Sequence, residues 1–160
     1  WSDYGCILSI YFRTVIIGEM DAKTTILLVL AVVCVGSSLM KPKIMRELDR
    51  KYEILRQELI TLGEFPILHK KLHITGMYNK GEVGYNVNKG YEIYICLDGG
   101  NVEPAMHVLI HELAHMTVPE YDHSEAYWKN FRDLRQLCIT LGILHPPSEA
   151  QDYCGGKISP

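Results

Sequence analysis

The sequence lacks several features that would have fixed the class of protein at once. Its 16 basic residues do not outnumber its 19 acidic ones, and the net charge is −3, so we expect no nucleic-acid partner. Its five cysteines are odd in number and include no Cys-x-x-Cys pair. This spacing argues against a disulfide framework or a cysteine zinc knuckle and favours a reducing compartment. At 160 residues, without internal repeats, the chain has room for one domain with a real core.

The N-terminal 40 residues divide at Met20, the first methionine. Residues 1–19 stay unassigned, either as a fragment of something longer or as sequence upstream of the true start. Residues 20–40 are predicted to be a membrane anchor, because Lys23 and Lys41 bracket 17 uncharged residues, 24–40, which is the lower limit for crossing a bilayer. Basic residues crowd the C-terminal side of this run, so a single-pass anchor would leave the following domain on the cytoplasmic side. The alternative is a cleaved signal peptide and a secreted protein.

Residues 41–63 are predicted to form an amphipathic stalk helix. Apolar residues recur there at alternating steps of three and four, and Gly63 follows as a C-cap glycine should. The stripe consists of Met45, Leu48, Tyr52, Leu55, Leu59 and Leu62. The helix has two interpretations, packing on the domain or forming a dimer seam through residues 44–62.

Residues 64–160 are predicted to be an α+β domain. Two alternating runs, EVGYNV and YEIYICL, flank Asn88-Lys89-Gly90 and predict an antiparallel hairpin with the glycine at a positive φ. Asn101 is a plausible N-cap for a helix that must end before Pro119. A second helix begins near 122–125 and ends at Gly142.

The first of these helices carries the motif His111-Glu112-Leu113-Ala114-His115. Histidines four residues apart project side by side from a helix, which is the geometry that lets two imidazoles grip one metal ion. A glutamate next to the first histidine can act as general base toward a water that zinc activates. Because apolar residues surround these polar side chains, burying them would be costly without a metal or other partners. We therefore expect His111 and His115 as zinc ligands and Glu112 as the catalytic residue.

Spacing offers several candidates for the third ligand. His123 follows His115 after a gap of seven residues, across the turn at Pro119. Its rivals are Glu120, Asp122 and Glu125, all acceptable zinc ligands. His107 lies one turn before His111, but three ligands in a straight helical row cannot surround an ion, so we expect it to line the pocket. By spacing, His123 leads.

The stretch HELAHMTVPEYDHSEAYWKNF resembles the small metallopeptidases of the WLM and SprT-like group, in which a His-Glu-x-x-His helix is followed by a third histidine and an aromatic pair. His111, Glu112, His115, His123 and Tyr127-Trp128 match that pattern. The stretch also resembles uncharacterised, metallopeptidase-like proteins of large DNA viruses, which carry a Tyr-Cys-Gly near the end, as at 153–155 here. The gap of five residues that is common in the WLM group is seven here, and nothing in these 160 residues resembles the DNA-binding segments of the group's repair members.

The resemblance implies a minimal zincin-like domain, with a small antiparallel sheet packed on the metal helix and the following helix alongside. It implies zinc as cofactor, a protein or peptide as substrate, and strand 91–97 as the strand nearest the site. An edge strand there could bind an extended peptide. The leading hypothesis is a membrane-anchored zinc metallopeptidase. The alternatives are a membrane-tethered binding module with a structural metal, and a metal-dependent hydrolase of a non-peptide amide.

Overall fold

The computed structural model describes residues 21–39, 41–78, 81–89 and 92–159, with side chains omitted at 33–39. The unassigned residues 1–19 lie outside these ranges. The chain divides into two compact units, residues 1–41 and residues 42–160. The second unit contains the amphipathic helix as well as the region expected to be the catalytic domain.

The first unit contains helix α1, Ala22–Leu39, which begins where Asp21 Oδ1 accepts from Thr24 N at 2.8 Å. No helix within the described residues is long and apolar enough to cross a membrane, so the predicted transmembrane helix over 24–40 is wrong. The continuous apolar run, 26–35, would rise about 15 Å as a helix, against a hydrocarbon core of about 30 Å. The cytoplasmic-side location rested on this anchor and is withdrawn with it.

The second unit opens with helix α2, Lys43–Leu62, whose apolar stripe is buried in the domain core. Leu48 and Leu55 are fully buried, whereas Leu62 at the end of the stripe is half exposed. Gly63 ends the helix in the left-handed region, at φ 69°. The stripe therefore packs on the domain, as one of the two interpretations had it, and pairing of two chains through residues 44–62 stays a prediction.

The main sheet has three strands, β1 (Ile74–Met77), β2 (Gly84–Val87) and β3 (Glu92–Cys96), in the order β1-β3-β2. The hairpin β2–β3 is antiparallel as predicted, but β1 pairs with β3 in parallel, so the expected antiparallel sheet is wrong. Strand β3 pairs with a neighbour on each side, and its Ile93 and Ile95 are fully buried, so it is the central strand. Strand β2 is therefore an edge of the described sheet. At the hairpin turn, Asn88 and Lys89 adopt the positive φ expected of Gly90, which lies outside the described residues.

Two helices follow the sheet, α3 (Val102–Met116) and α4 (Glu125–Thr140). Helix α3 begins at Asn101, whose side chain accepts from Glu103 N at 3.0 Å, and it ends three residues before Pro119. Helix α4 is capped by Ser124, whose Oγ accepts from Tyr127 N at 3.2 Å. Helix α3 forms the centre of the core, because 11 of its 15 residues are buried.

A C-terminal hairpin of β4 (Gln151–Tyr153) and β5 (Gly156–Ile158) is tied to the end of β3 by a disulfide between Cys96 and Cys154. The expectation from cysteine spacing was the opposite. The two cysteines are 58 residues apart, so their pairing depends on the return of the C-terminus to β3, which local spacing cannot reveal. Cys138 is a buried free thiol, as a cysteine within a helical apolar stripe should be.

Candidate metal centre and active site

The motif histidines lie on one side of helix α3, half-buried, with Glu112 buried between that helix and the sheet. His115 Nε2 lies 3.3 Å from His111 Nε2, so the spacing of four residues brings the two ring nitrogens together as expected. Burial, with smaller contributions from His115 and His123, lowers the pKa of His111 to about 4. Burial also lowers the pKa of His115. Both imidazoles are therefore neutral near pH 7, which is the form that binds a metal.

His123 completes a group of three nitrogen donors. Its Nε2 lies 3.3 Å from His111 Nε2, and the ligand atoms of His111, His115 and His123 all lie within 4.8 Å of one another. For a tetrahedral zinc with Zn–N bonds of about 2.0–2.1 Å, two nitrogens should be separated by about 3.3–3.4 Å. The two separations from His111 Nε2 thus match one tetrahedral zinc ion.

The rival third ligands do not join this group. Within the described part of the chain, the group contains His111, His115 and His123 and no carboxylate. Glu120 lies at the edge of the neighbouring cleft, and Glu125 begins helix α4. Three protein ligands without a fourth is the pattern of catalytic zinc sites, which keep one position open.

Lys89 fixes the loop that brings His123 back to the helix. From the turn of the β2–β3 hairpin its Nζ donates to the carbonyl oxygens of Val118 (3.0 Å), Glu120 (3.2 Å) and Pro119. The same ammonium lies 4.4 Å from the centre of the Tyr121 ring, within the range of a cation–π contact. One lysine thus supplies hydrogen bonds to three successive carbonyl groups beyond the end of α3. These bonds hold the loop of seven residues between His115 and His123.

Glu112 is held by an edge strand. Its Oε2 accepts a hydrogen bond of 2.8 Å from Nδ2 of Asn86 on β2, and the glutamate is only 6% exposed. Burial raises the pKa of Glu112, and the bond from Asn86 opposes that effect in part. A carboxylate with a raised pKa is a better proton acceptor than a solvated one. The strand that contacts Glu112 is therefore β2, and the expectation that strand 91–97 lies nearest the site is corrected, because that strand is central.

Tyr127 contacts all three histidines. Its hydroxyl lies 2.6 Å from His111 Nδ1, and its ring centre lies 4.4 Å from that of His115 and 4.6 Å from that of His123. The side chain is fully buried, so it also packs helix α4 against the core. Burial, and secondarily the charge of Glu112, raises the pKa of the Tyr127 hydroxyl far above its ordinary value. Trp128 is 42% exposed and lies against the outer side of His123, with ring centres 5.5 Å apart.

A cleft of about 220 Å³ opens beside Glu112 and His115, between β2, the hairpin turn and the loop after α3. Tyr121 also lines the cleft and is 81% exposed. His107 is packed edge-on against Phe131 with ring centres 5.4 Å apart, and its Nδ1 is buried without a hydrogen-bond partner in the described structure. It lies outside the group of three histidines.

A second group of potential metal ligands consists of Cys96, Asp98 and Cys154. Its two sulfur atoms are joined to each other in the disulfide. Metals bind thiolates, so this group could hold an ion only after reduction of that bond. The histidine group needs no such change.

Sequence reasoning missed three residues of the site: Asn86, Lys89 and the hydroxyl function of Tyr127. The first two belong to the β2–β3 hairpin, and nothing in their local pattern distinguishes them from ordinary strand and turn residues. Tyr127 was matched only as one residue of an aromatic pair, and an aromatic position in a helical stripe does not indicate what its hydroxyl will contact.

The fold and the site together define a small α+β protein with a candidate metal centre of three histidines beside a buried glutamate. The chain is 39% identical over 80 residues to an uncharacterised protein of Acanthamoeba polyphaga mimivirus, an alignment that covers 44% of this chain and 41% of the viral protein. The chain thus spans about two fifths of that relative's length. No family model matches the chain, and no solved structure matches it either. The similarity supports the resemblance to proteins of large DNA viruses and gives no support to membership of the WLM and SprT-like group.

Proposed function

We propose that this chain is a zinc-dependent metallopeptidase in which His111, His115 and His123 hold the metal and Glu112 is the general base. The observation that carries the proposal is the convergence of three imidazole nitrogens, two pairs of them 3.3 Å apart, next to a buried carboxylate. A structural zinc would favour a fourth protein ligand. The described residues offer none at this centre, which favours a catalytic site over a binding module with a structural metal.

The donor set fits zinc because all three ligands are imidazoles, with two of their nitrogen pairs at the spacing of a tetrahedral ion, and zinc accepts nitrogen donors readily. Zinc bound there would lower the pKa of a water to about 7 and polarise the carbonyl group of a substrate. Glu112 would then accept the proton from the attacking water. Its hydrogen bond from Asn86 engages one carboxylate oxygen, and the residue lines the cleft.

The peptide substrate is proposed from the position of β2. This edge strand lines the cleft through Gly84, Tyr85 and Asn86, and its outer edge is unpaired within the described sheet. An extended peptide could pair with that edge by main-chain hydrogen bonds and pass Glu112. The WLM and SprT-like resemblance implies the same class of substrate. A hydrolase of a non-peptide amide would use the same metal and base, and comparing peptide with simple amide substrates separates the two.

The decisive experiment measures zinc per chain and peptide hydrolysis in the parent and in Glu112→Gln, which retains an oxygen acceptor for Asn86. We expect one zinc in both proteins and a loss of at least about 10²-fold in hydrolysis in the variant. Glu149→Gln, which changes an exposed carboxylate of the tail, serves as the matched control and should behave like the parent.

Three outcomes would contradict the proposal in different ways. Zinc lost together with activity in Glu112→Gln would mean that Glu112 supports the metal and is not the base. Equal zinc content in the parent and in His123→Ala would mean that His123 is not the third ligand. A parent without zinc would end the metallopeptidase hypothesis.

A further inference from the structure

The hydroxyl of Tyr127 has one hydrogen-bond partner in the described structure, Nδ1 of His111 at 2.6 Å. The side chain is fully buried, and its ring lies within 5.4 Å, centre to centre, of all three histidine rings. A buried tyrosine hydroxyl needs a hydrogen-bond partner, and here that partner is a nitrogen of a candidate metal ligand. This contact suggests that the Tyr127 hydroxyl acts on the candidate metal centre through His111.

The two nitrogens of His111 face opposite demands. Its Nε2 lies 3.3 Å from the Nε2 atoms of both His115 and His123, so Nε2 is the atom that would bind the metal. A metal-binding nitrogen of a neutral imidazole carries no hydrogen, so the proton must then be on Nδ1. In a half-buried ring that N–H needs an acceptor, and the oxygen of Tyr127 is the one at hydrogen-bond distance.

We propose that Tyr127 is a positioning residue that accepts a hydrogen bond from His111 Nδ1–H and thereby fixes the tautomer and the orientation in which His111 binds zinc. This inference rests on the proposed function, since it assigns a role to Tyr127 only if the three histidines hold a metal. Partners that orient a metal-binding histidine in this way are usually carboxylates or backbone carbonyls, and losing them typically weakens metal binding by about 10–100-fold.

The same segment of chain thus contributes twice to the site. His123 comes just before helix α4 and supplies a ligand, and Tyr127 in the first turn of that helix supports a ligand on α3. Ser124 fixes their relative position by accepting from Tyr127 N at 3.2 Å. Docking of α4 on α3 would therefore set both the third ligand and the tautomer of the first.

The test compares the zinc affinity of the parent chain with that of Tyr127→Phe, measured by competition with a chromogenic chelator of known affinity. Phenylalanine keeps the ring that packs under the histidines and removes only the hydroxyl. We expect zinc to bind about 10–100-fold more weakly. The matched control is Tyr153→Phe, which removes the hydroxyl of another buried tyrosine, one that donates to the carbonyl oxygen of Cys96, and it should bind zinc as tightly as the parent.

Zinc affinity in Tyr127→Phe within about twofold of the parent would overturn the proposal, and so would equal losses in both variants. If Tyr127→Phe fails to fold, nitrogen-15 NMR of the zinc-loaded parent decides the question. A protonated, exchange-protected Nδ1 on His111 is expected, whereas an unprotonated or freely exchanging Nδ1 would overturn the proposal. A parent that holds zinc but hydrolyses no peptide would contradict the proposed function and leave this inference standing, so the two failures are distinguishable.

Discussion

Lys51 provides the sharpest test of the fold, because it is a lysine buried on the apolar side of helix α2. It is 4% exposed, and its Nζ lies 2.5 Å from Glu103 Oε1 and 2.8 Å from the carbonyl oxygen of Ile143. These contacts join α2 to the start of α3 and to the segment after α4. We predict that Lys51→Met, which keeps an unbranched side chain one atom shorter and removes the charge, lowers the free energy of unfolding.

The magnitude follows from what each partner loses. Removing one member of a buried ion pair typically costs about 3–5 kcal/mol, because the remaining charge stays desolvated. The side chain of Glu103 is 21% exposed and also accepts from His145 N at 2.6 Å, so the lower end of that range, about 3 kcal/mol, is expected. The double variant Lys51→Met/Glu103→Gln should recover part of the loss, since no unpaired charge remains.

The assay is urea unfolding followed by circular dichroism, with midpoint and slope both fitted. Lys129→Met is the matched control, because Lys129 forms an ion pair of 2.7 Å with Asp133 on the exposed face of α4. That variant should change the free energy of unfolding by no more than about 1 kcal/mol. If Lys51→Met costs no more than Lys129→Met, the lysine is not buried as described and the docking of α2 on the domain is wrong.

Two further predictions concern the same unit. Cys154→Ser should destabilise the fold by up to about 4 kcal/mol, because the disulfide closes a loop of 58 residues. Urea unfolding measures the loss. A thiol titration of the denatured parent that finds all five cysteines free would refute the bond. Burial raises the pKa of Glu103, but hydrogen bonds from Lys51 and from His145 N outweigh it, so the net pKa lies below the ordinary 4.5. Stability from Glu103 is then complete above pH 4.5 and is lost as the pH falls through the lower folded value. Unfolding of the parent and of Glu103→Gln between about pH 6 and about pH 3 should show a smaller acid loss in the variant, and parallel curves would contradict the assignment.

Local patterns were reliable where a single element determined the result. The period of α2, the cap at Asn101 and the pairing of β2 with β3 follow from interactions within a few residues, and the structure confirms each of them. Local patterns failed where the outcome depended on context. The uncharged run 24–40 met the length limit for a membrane helix but includes polar residues at both ends, and the alternation of β1 does not reveal whether its neighbour runs parallel or antiparallel.

The sequence by itself determined that His111, Glu112 and His115 share one helix. It also determined that the two histidines project side by side, because residues four apart on a helix face the same side whatever surrounds them. It did not determine that His123 and not a nearby carboxylate joins them, that Asn86 reaches Glu112, or that Tyr127 reaches His111. Those contacts form between elements 8 to 26 residues apart in the chain. Only the docking of α4 and of the β2–β3 hairpin on α3, stabilised by burial of a shared core, brings these residues to one point.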